Sequence, residues 1–144
     1  MKRILSAALI FCLLLAALSS PVIAGNDVSG TRASAYLARY RVTLSQGDAP
    51  GELQLSFNVT AGRTEITKIG VSQIRVYSGG QRVLTVNGSI ANGLLAANRF
   101  THAGDYTLHL TPGVSYYAVV TVMAMDNAGS DSRNVTTSTV TAPS

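Results

Sequence analysis

The sequence predicts an all-β fold, an antiparallel sandwich of seven or eight short strands, and three observations support this prediction. From residue 35 onward, apolar and polar residues alternate with a period of two, and no long segment shows the 3.6-residue period of a helix. Clusters of Gly, Pro, Asn and Asp separate the alternating segments at regular intervals. The chain of 144 residues has the length of one domain once a leader is removed. Short strands with regularly spaced turns are typical of β-sandwiches.

The first 24 residues have the pattern of a secretory signal peptide. Two basic residues precede an apolar run over residues 4–18, which is short for a membrane span. Val22 and Ala24 fit the small-residue rule for signal cleavage, so we expect the mature chain to begin at Gly25. An uncleaved N-terminal anchor is the alternative interpretation.

The mature chain is expected to begin with a flexible arm and to continue with the sandwich domain. Residues 25–34 are small and polar and are assigned to the arm, and residues 35–142 to the domain. A first strand over residues 35–46 places on one face Ala38, Tyr40, Val42 and Leu44. The turn sequence "QGDAPG" follows, and the second strand, "ELQLSFNVT", directs to one face Leu53, Leu55, Phe57 and Val59. The two strands are expected to pair as an antiparallel hairpin.

Four further strands are predicted around the central part of the domain. The third, residues 69–78, points Ile74 and Val76 inward and Arg75 and Tyr77 outward. The segments "QRVLTV" and "YTLHL" are short strands, and the two Asn-Gly steps of "NGSIANG" are turn signals. Residues 94–104 fit either a strand or a helical turn. The Thr-rich segment 133–142 suits a half-exposed edge strand.

The segment "TPGVSYYAVVTVMAMDNAGSDS", residues 111–132, is predicted to form one long strand closed by a turn, and the strand is apolar on both faces. One face carries Tyr116, Ala118, Val120, Val122 and Ala124. The other carries Tyr117, Val119, Met123 and Met125, and it is broken only by Thr121. The second face is either a central strand shielded by long neighbouring side chains, such as Arg75 and Tyr77, or a candidate interaction surface.

The segment "LTPGVSYYAVVTVMA" resembles the late strands of fibronectin type III modules, a branch of the immunoglobulin-like sandwiches. The residues that carry the resemblance are Leu110, Pro112, Gly113 and Tyr116. The resemblance implies that Tyr116 is a corner tyrosine whose hydroxyl bonds back to the preceding loop. The chain lacks the family's core Trp, and Phe57 is the nearest substitute. The mature chain also looks like a group of small secreted bacterial proteins of unknown function.

Composition argues against several chemistries. The mature chain has nine Lys and Arg against seven Asp and Glu, and a net charge of +2 is too small to indicate nucleic acid or membrane binding. The single cysteine, Cys12, lies in the signal, so no disulfide or cysteine nucleophile is expected. His102 and His109 bracket Asp105, but no nucleophile accompanies them, and neither catalysis nor a cofactor is predicted.

Each of two polar clusters has a purely structural and a functional interpretation. The sequence "DNAGSD" places Asp126, Asn127, Ser130 and Asp131 in one short loop, which fits a tight turn better than a calcium site. Arg39 and Arg41 share the outer face of the first strand, where they form either a small basic patch or an ordinary solvated face.

The sequence is best interpreted as a small secreted, extracellular, non-catalytic binding or interaction module. Its partner is expected to be a protein, a glycan or a second copy of the chain. A structural or adhesive component of the bacterial cell surface, attached without a covalent bond, is the alternative, because "TVTAPS" contains no sorting signal.

Overall fold

The protein is an antiparallel β-sandwich, as the sequence predicted. The computed structural model describes residues 34–144 and the backbone of residues 28–30. Its strands are β1 Val28–Gly30, β2 Leu37–Gln46, β3 Glu52–Ala61, β4 Lys68–Ser78, β5 Gln81–Asn87, β6 Leu95–Ala97, β7 Thr101–His109, β8 Ser115–Met125, β9 Ser130–Thr136 and β10 Val140–Thr141. The described residues include no helix, and all the strand pairs are antiparallel.

The strands form a smaller and a larger sheet. The smaller sheet has the order β1-β2-β3-β7. The two central strands of the larger sheet are β8 and β4, which pair with each other. The other edge of β8 pairs with β9 and β10, and the other edge of β4 pairs with β5 and β6. Ten segments therefore occupy eight strand positions, because each outer position of the larger sheet is filled by two short strands.

The predicted first hairpin is confirmed, with one correction. Strand β2 pairs with β3 in antiparallel register, and the inward residues of β3 are buried as its alternation predicted. Ala38 was predicted to point inward, but it is exposed, because the register shifts between Leu37 and Arg39. Such a bulge inserts one residue and resets the alternation, so Leu37 is buried instead.

The segment that the sequence left undecided forms strands rather than a helical turn. Residues 94–104 contain β6 and the beginning of β7, and Asn98, with a φ of 52°, lies at the turn between them. Strand β7 then pairs with β3 through nine consecutive residue pairs without a register shift. In the described part of the chain, nothing pairs with the opposite side of β7, so this regular strand forms an open edge of the smaller sheet.

The predicted final strand, residues 133–142, is divided in two. Strand β9 begins earlier, at Ser130, and β10 contains only Val140 and Thr141. Between them lies Thr137, whose side chain is buried. Its hydroxyl accepts a hydrogen bond from the backbone N–H of Ala118 at 2.9 Å and donates one to the carbonyl of Ser138 at 3.0 Å. The hydroxyl thereby replaces a backbone ladder bond, and the strand is interrupted.

The hydrophobic core lies between the two sheets. Its largest fully buried side chains come from both sheets and include Leu44, Leu53, Leu55, Ile69, Ile74, Leu94 and Leu108. Phe57 is 4% exposed, and Gly104 lies directly across from it in β7, where a Cβ would come 3.2 Å from the ring atom Cζ. The missing side chain at Gly104 thus makes room for the Phe57 ring.

The N-terminal predictions fall mostly outside the described residues. The predicted signal peptide, residues 1–24, lies there entirely. Within the segment predicted as an arm, Val28–Gly30 pairs with β2 opposite Tyr40, Arg41 and Val42. The described residues contain no apolar helix of bilayer-spanning length.

Candidate functional site

The outer face of the larger sheet carries the side chains that the sequence singled out. Buried and half-buried residues alternate along β8, and the half-buried ones that face outward include Tyr117, Val119, Met123 and Met125. The opposite set, which contains Tyr116 and Val120, faces the core. Each of the four outward side chains retains contact with solvent, so the second apolar face of β8 is only partly covered.

Two stacked tyrosines occupy one end of this face. The rings of Tyr77 and Tyr117 lie with their centroids 5.2 Å apart and their planes 9° apart. The two residues are direct cross-strand partners, which is why their side chains meet on the same side of the sheet. Val119, on the same face of β8, lies between Arg75 of β4 and Thr136 of β9 in the ladder. We call Tyr77, Tyr117 and Val119 the tyrosine cluster.

A row of polar side chains crosses the middle of the same face. The Asn134 Oδ1 atom accepts a hydrogen bond from the Thr121 hydroxyl at 2.7 Å and from Arg75 Nη2 at 3.2 Å. Gln73 Nε2 donates to Asn87 Oδ1 at 3.1 Å. This amide row, Gln73, Asn87, Thr121 and Asn134, separates the tyrosine cluster from Met123 and Met125. The candidate surface is therefore two apolar clusters divided by polar groups, not one continuous apolar patch.

Arg75 is the least satisfied polar group on this face. Its Nε atom is buried and has no hydrogen-bond partner among the described residues. A buried donor without a partner costs free energy, about 1–3 kcal/mol. The guanidinium is thus held in place by Asn134 while part of its bonding capacity is unused.

The corner residues of the resemblance are placed around one turn. The Thr111 N–H donates to the Tyr116 hydroxyl at 3.2 Å, and that hydroxyl lies 3.5 Å from the Thr111 carbonyl oxygen. Gly113 has a φ of 74°, a conformation that favours glycine, and its N–H bonds to the carbonyl of Ala142. The N–H of Leu110 bonds to Gly51, whereas Pro112 is exposed. These bonds fix the turn that leads into β8.

The structure does not bring the two histidines together. They are seven residues apart on β7, about 23 Å along an extended strand, and face opposite sides of the sheet. The His102 ring packs edge-on against Phe57, and its Nε2 lies 2.7 Å from the Gly93 carbonyl oxygen. His109 is exposed, with its Nδ1 3.6 Å from Glu52 Oε1. The Asp105 carboxylate instead accepts the Ser56 hydroxyl.

The carboxylates of the "DNAGSD" loop are used within the fold. Asp126 Oδ1 accepts the backbone N–H groups of Ala128 at 2.7 Å and Gly129 at 2.9 Å, which is the geometry of an Asx turn. The bond from Ala128, with those from Gly129 and Arg63, holds the pKa of Asp126 below its usual value. Asp131 pairs with Arg133. Among the described residues, no group of three or more His, Cys, Asp or Glu side chains is placed to hold a metal ion.

Arg39 and Arg41 lie on the outer face of the smaller sheet, away from the amide row. A shallow depression of about 420 Å³ is lined there by Arg41, Thr43, Ser56, Asn58 and Asp105, among others. An acid is thus present near the predicted basic patch, and the face carries charges of both signs.

One cluster was missed by reasoning from the sequence. At the end of the sandwich, Arg63 lies 4.7 Å from the centre of the Tyr36 ring and 3.5 Å from Asp126 Oδ2. Phe100 is 47% exposed beside them, and a cavity of about 380 Å³ lies between these loops. The contacts join residues up to 63 positions apart, so no local sequence signal could have revealed them.

Comparison of this chain with protein-family models and with curated proteins gave no match. The strongest candidate site is therefore the one that the geometry itself defines, the outer face of the larger sheet.

Proposed function

We propose that this chain is a small secreted, non-catalytic binding module that engages its partner through the outer face of the larger sheet. The observation that carries the proposal is the composition of that face: stacked tyrosines and methionines stand half-exposed on either side of an ordered amide row. Tyrosine and methionine are enriched where proteins bind partners, because both present amphipathic or adaptable contact area. The partner is a protein, a glycan or a second copy of the chain.

We further propose that the sandwich belongs to the fibronectin type III-like branch of immunoglobulin-like folds. The order β2-β3-β7 against β9-β8-β4-β5, with strands that cross between the sheets, is compatible with this architecture. The contact between the Tyr116 hydroxyl and Thr111 supports the corner assignment. The absence of Trp from the sequence remains a departure from the family.

A pair of matched variants tests the binding face. The first carries Tyr117→Ser and Met123→Ser on the outer face of the larger sheet. The control carries Ala103→Ser and Thr107→Ser, at exposed positions on the outer face of the smaller sheet. Both are compared with the wild-type mature chain for retention on immobilised polysaccharides and extracellular proteins, and by sedimentation for self-association.

The proposal expects the first variant alone to lose retention or self-association, while both variants keep a cooperative unfolding transition. Equal retention of both variants would place the binding surface elsewhere. No retention and no self-association of the wild type would contradict a binding function and favour the structural alternative.

A non-covalently attached structural or adhesive role at the bacterial surface is the second candidate, and fractionation of the producing cells separates the two. A free binder is recovered in the culture fluid with Gly25 as its first residue, as N-terminal sequencing would show. A surface component is recovered with the cell wall and released by concentrated salt or denaturant. Protein with an intact Met1 in the fluid would contradict the proposed signal cleavage.

A further inference from the structure

We infer that the ligand of the outer face of the larger sheet is an acidic polysaccharide, a polymer of sugar rings that bear carboxylate groups. This inference rests on the proposed binding function and adds the chemical class of the partner. It is carried by the charge of the face, by the state of its basic groups and by the arrangement of its amides and tyrosines.

The charge on this face has one sign. Lys68 lies across from Met125, Arg75 across from Val119, and Arg82 across from Tyr77, so all three basic side chains share the face with the candidate residues. None of the described residues on this face is Asp or Glu. On the smaller sheet, by contrast, Asp105 stands among the outward side chains.

Within the part of the chain that the structure describes, the three basic groups have no carboxylate partner. The ion pairs between described residues join Arg63 to Asp126, Arg133 to Asp131 and His109 to Glu52, and none of them uses the bases of this face. A face whose charges are all positive attracts an anionic ligand, and a guanidinium matches the geometry of a carboxylate.

The amide row presents hydrogen-bond donors in a fixed orientation. Two donors, Thr121 and Arg75, hold the oxygen end of the Asn134 amide, which leaves its NH₂ group without a partner among the described residues. The bond from Gln73 to Asn87 likewise occupies the Asn87 oxygen and leaves that NH₂ group available. Sugar hydroxyls are good acceptors for such groups, and an ordered donor loses little entropy on binding.

The stacked tyrosines offer an apolar surface to a sugar ring. Their ring centroids are 5.2 Å apart, so the two rings already contact each other and leave no gap for a base between them. The apolar faces of sugar rings can pack on the outside of this pair. The face carries tyrosines, amides and basic side chains along its length, which suits an extended polymer lying on the sheet.

The experiment measures binding of the mature chain to polygalacturonate and to its fully methyl-esterified form, in which each carboxylate is replaced by a neutral methyl ester. The test variant carries Arg75→Gln and Arg82→Gln. The control carries Arg39→Gln and Arg41→Gln, which remove the same charge from the smaller sheet. Thermal unfolding of all proteins verifies that they fold.

We expect the test variant to bind polygalacturonate at least tenfold more weakly than the wild type, and the control to change by less than about threefold. Esterification should lower wild-type affinity at least tenfold, and raising the salt concentration should weaken binding to the acid form. Equal losses in both variants would show non-specific adsorption to a polyanion and overturn the inference. Equal affinity for the two forms of the polymer would also overturn it.

Polyglutamate and single-stranded DNA serve as acidic polymers of other classes. If either binds as tightly as polygalacturonate and is weakened by the Arg75 and Arg82 substitutions, the acidic partner is not a polysaccharide, whereas the binding face stands. If the wild type binds neutral and acidic polymers equally and the Tyr117→Ser, Met123→Ser variant binds neither, the inference of an acidic ligand is wrong. The proposed binding function would still be supported. Absence of all binding and of self-association contradicts both.

Discussion

The two faces of β8 can be compared by one substitution at adjacent positions. Val119→Thr and Val120→Thr each replace a methyl group by a hydroxyl of nearly the same size, and both residues retain high strand propensity. Val120 is fully buried and lies between Ile74 and Val135 in the ladder. Val119 is half-buried on the outer face, beside Arg75.

The structure sets the expected magnitudes. At Val120 the new hydroxyl has apolar cross-strand neighbours, and burying a hydroxyl without a partner costs about 1–3 kcal/mol in proteins. At Val119 the hydroxyl reaches solvent or the adjacent polar groups, so the free energy of unfolding should stay within about 0.5 kcal/mol of the wild-type value. We therefore expect the Val120 variant to lose at least about 0.5 kcal/mol more than the Val119 variant, although the two have identical composition.

Urea unfolding of the mature chain at 25 °C, followed by far-UV circular dichroism, measures both free energies. The transitions must keep the same slope against urea, because a changed slope would mean that the native or unfolded state itself differs. Equal losses in the two variants would refute the reasoning. Equal losses would show that the outer face of β8 is as inaccessible to solvent as the core, and a face without access to solvent could not bind a partner.

Three further predictions concern the core, the corner and the acidic turn. Phe57→Ala should lower the free energy of unfolding by about 3–5 kcal/mol, and Gly104→Ala should be less harmful in that background than in the wild type, which a double-mutant cycle in urea measures. Tyr116→Phe should cost about 0.5–1.5 kcal/mol, because the hydroxyl bonds to Thr111 of an exposed turn; a loss above about 3 kcal/mol would contradict this. The lowered pKa of Asp126 stabilises the fold above the ordinary aspartate pKa of about 3.9, and this contribution is lost as the pH falls through the folded-state value. Asp126→Asn should therefore destabilise at pH 7 more than at pH 3 in urea titrations, and an equal effect at both would argue against the turn.

Strand positions were predictable wherever one face of a strand is buried. In β3 the period-two pattern directed Phe57 and its neighbours to the core, and the structure buries them. Ala38 was misplaced because a bulge shifts the pattern by one residue, and a bulge without Gly or Pro leaves no local sign. The break at Thr137 escaped notice for a similar reason, since its side chain bonds to a residue 19 positions away.

The candidate site was only partly visible in the sequence. Parity alone placed Tyr117 and Val119 opposite the core, because neighbouring residues of a strand face opposite sides. The amide row was not predicted, since Gln73, Thr121 and Asn134 come from three strands and their meeting depends on register. The sequence also could not show that Arg75 and Arg82 lack a nearby acid, because the distance between charged side chains depends on the fold.

The uneven edges of the two sheets limit how copies of this chain could join by strand addition. Both outer positions of the larger sheet are interrupted, by the junction of β5 with β6 and of β9 with β10. The described part of the smaller sheet ends on one side in the three residues of β1 and on the other in the nine residues of β7. Among the outer strands that the structure describes, β7 is the longest, and an antiparallel contact through it would use the same edge in both copies. A pair joined through β7 would close that edge in both copies, so its further growth would depend on the shorter outer strands β5 and β9.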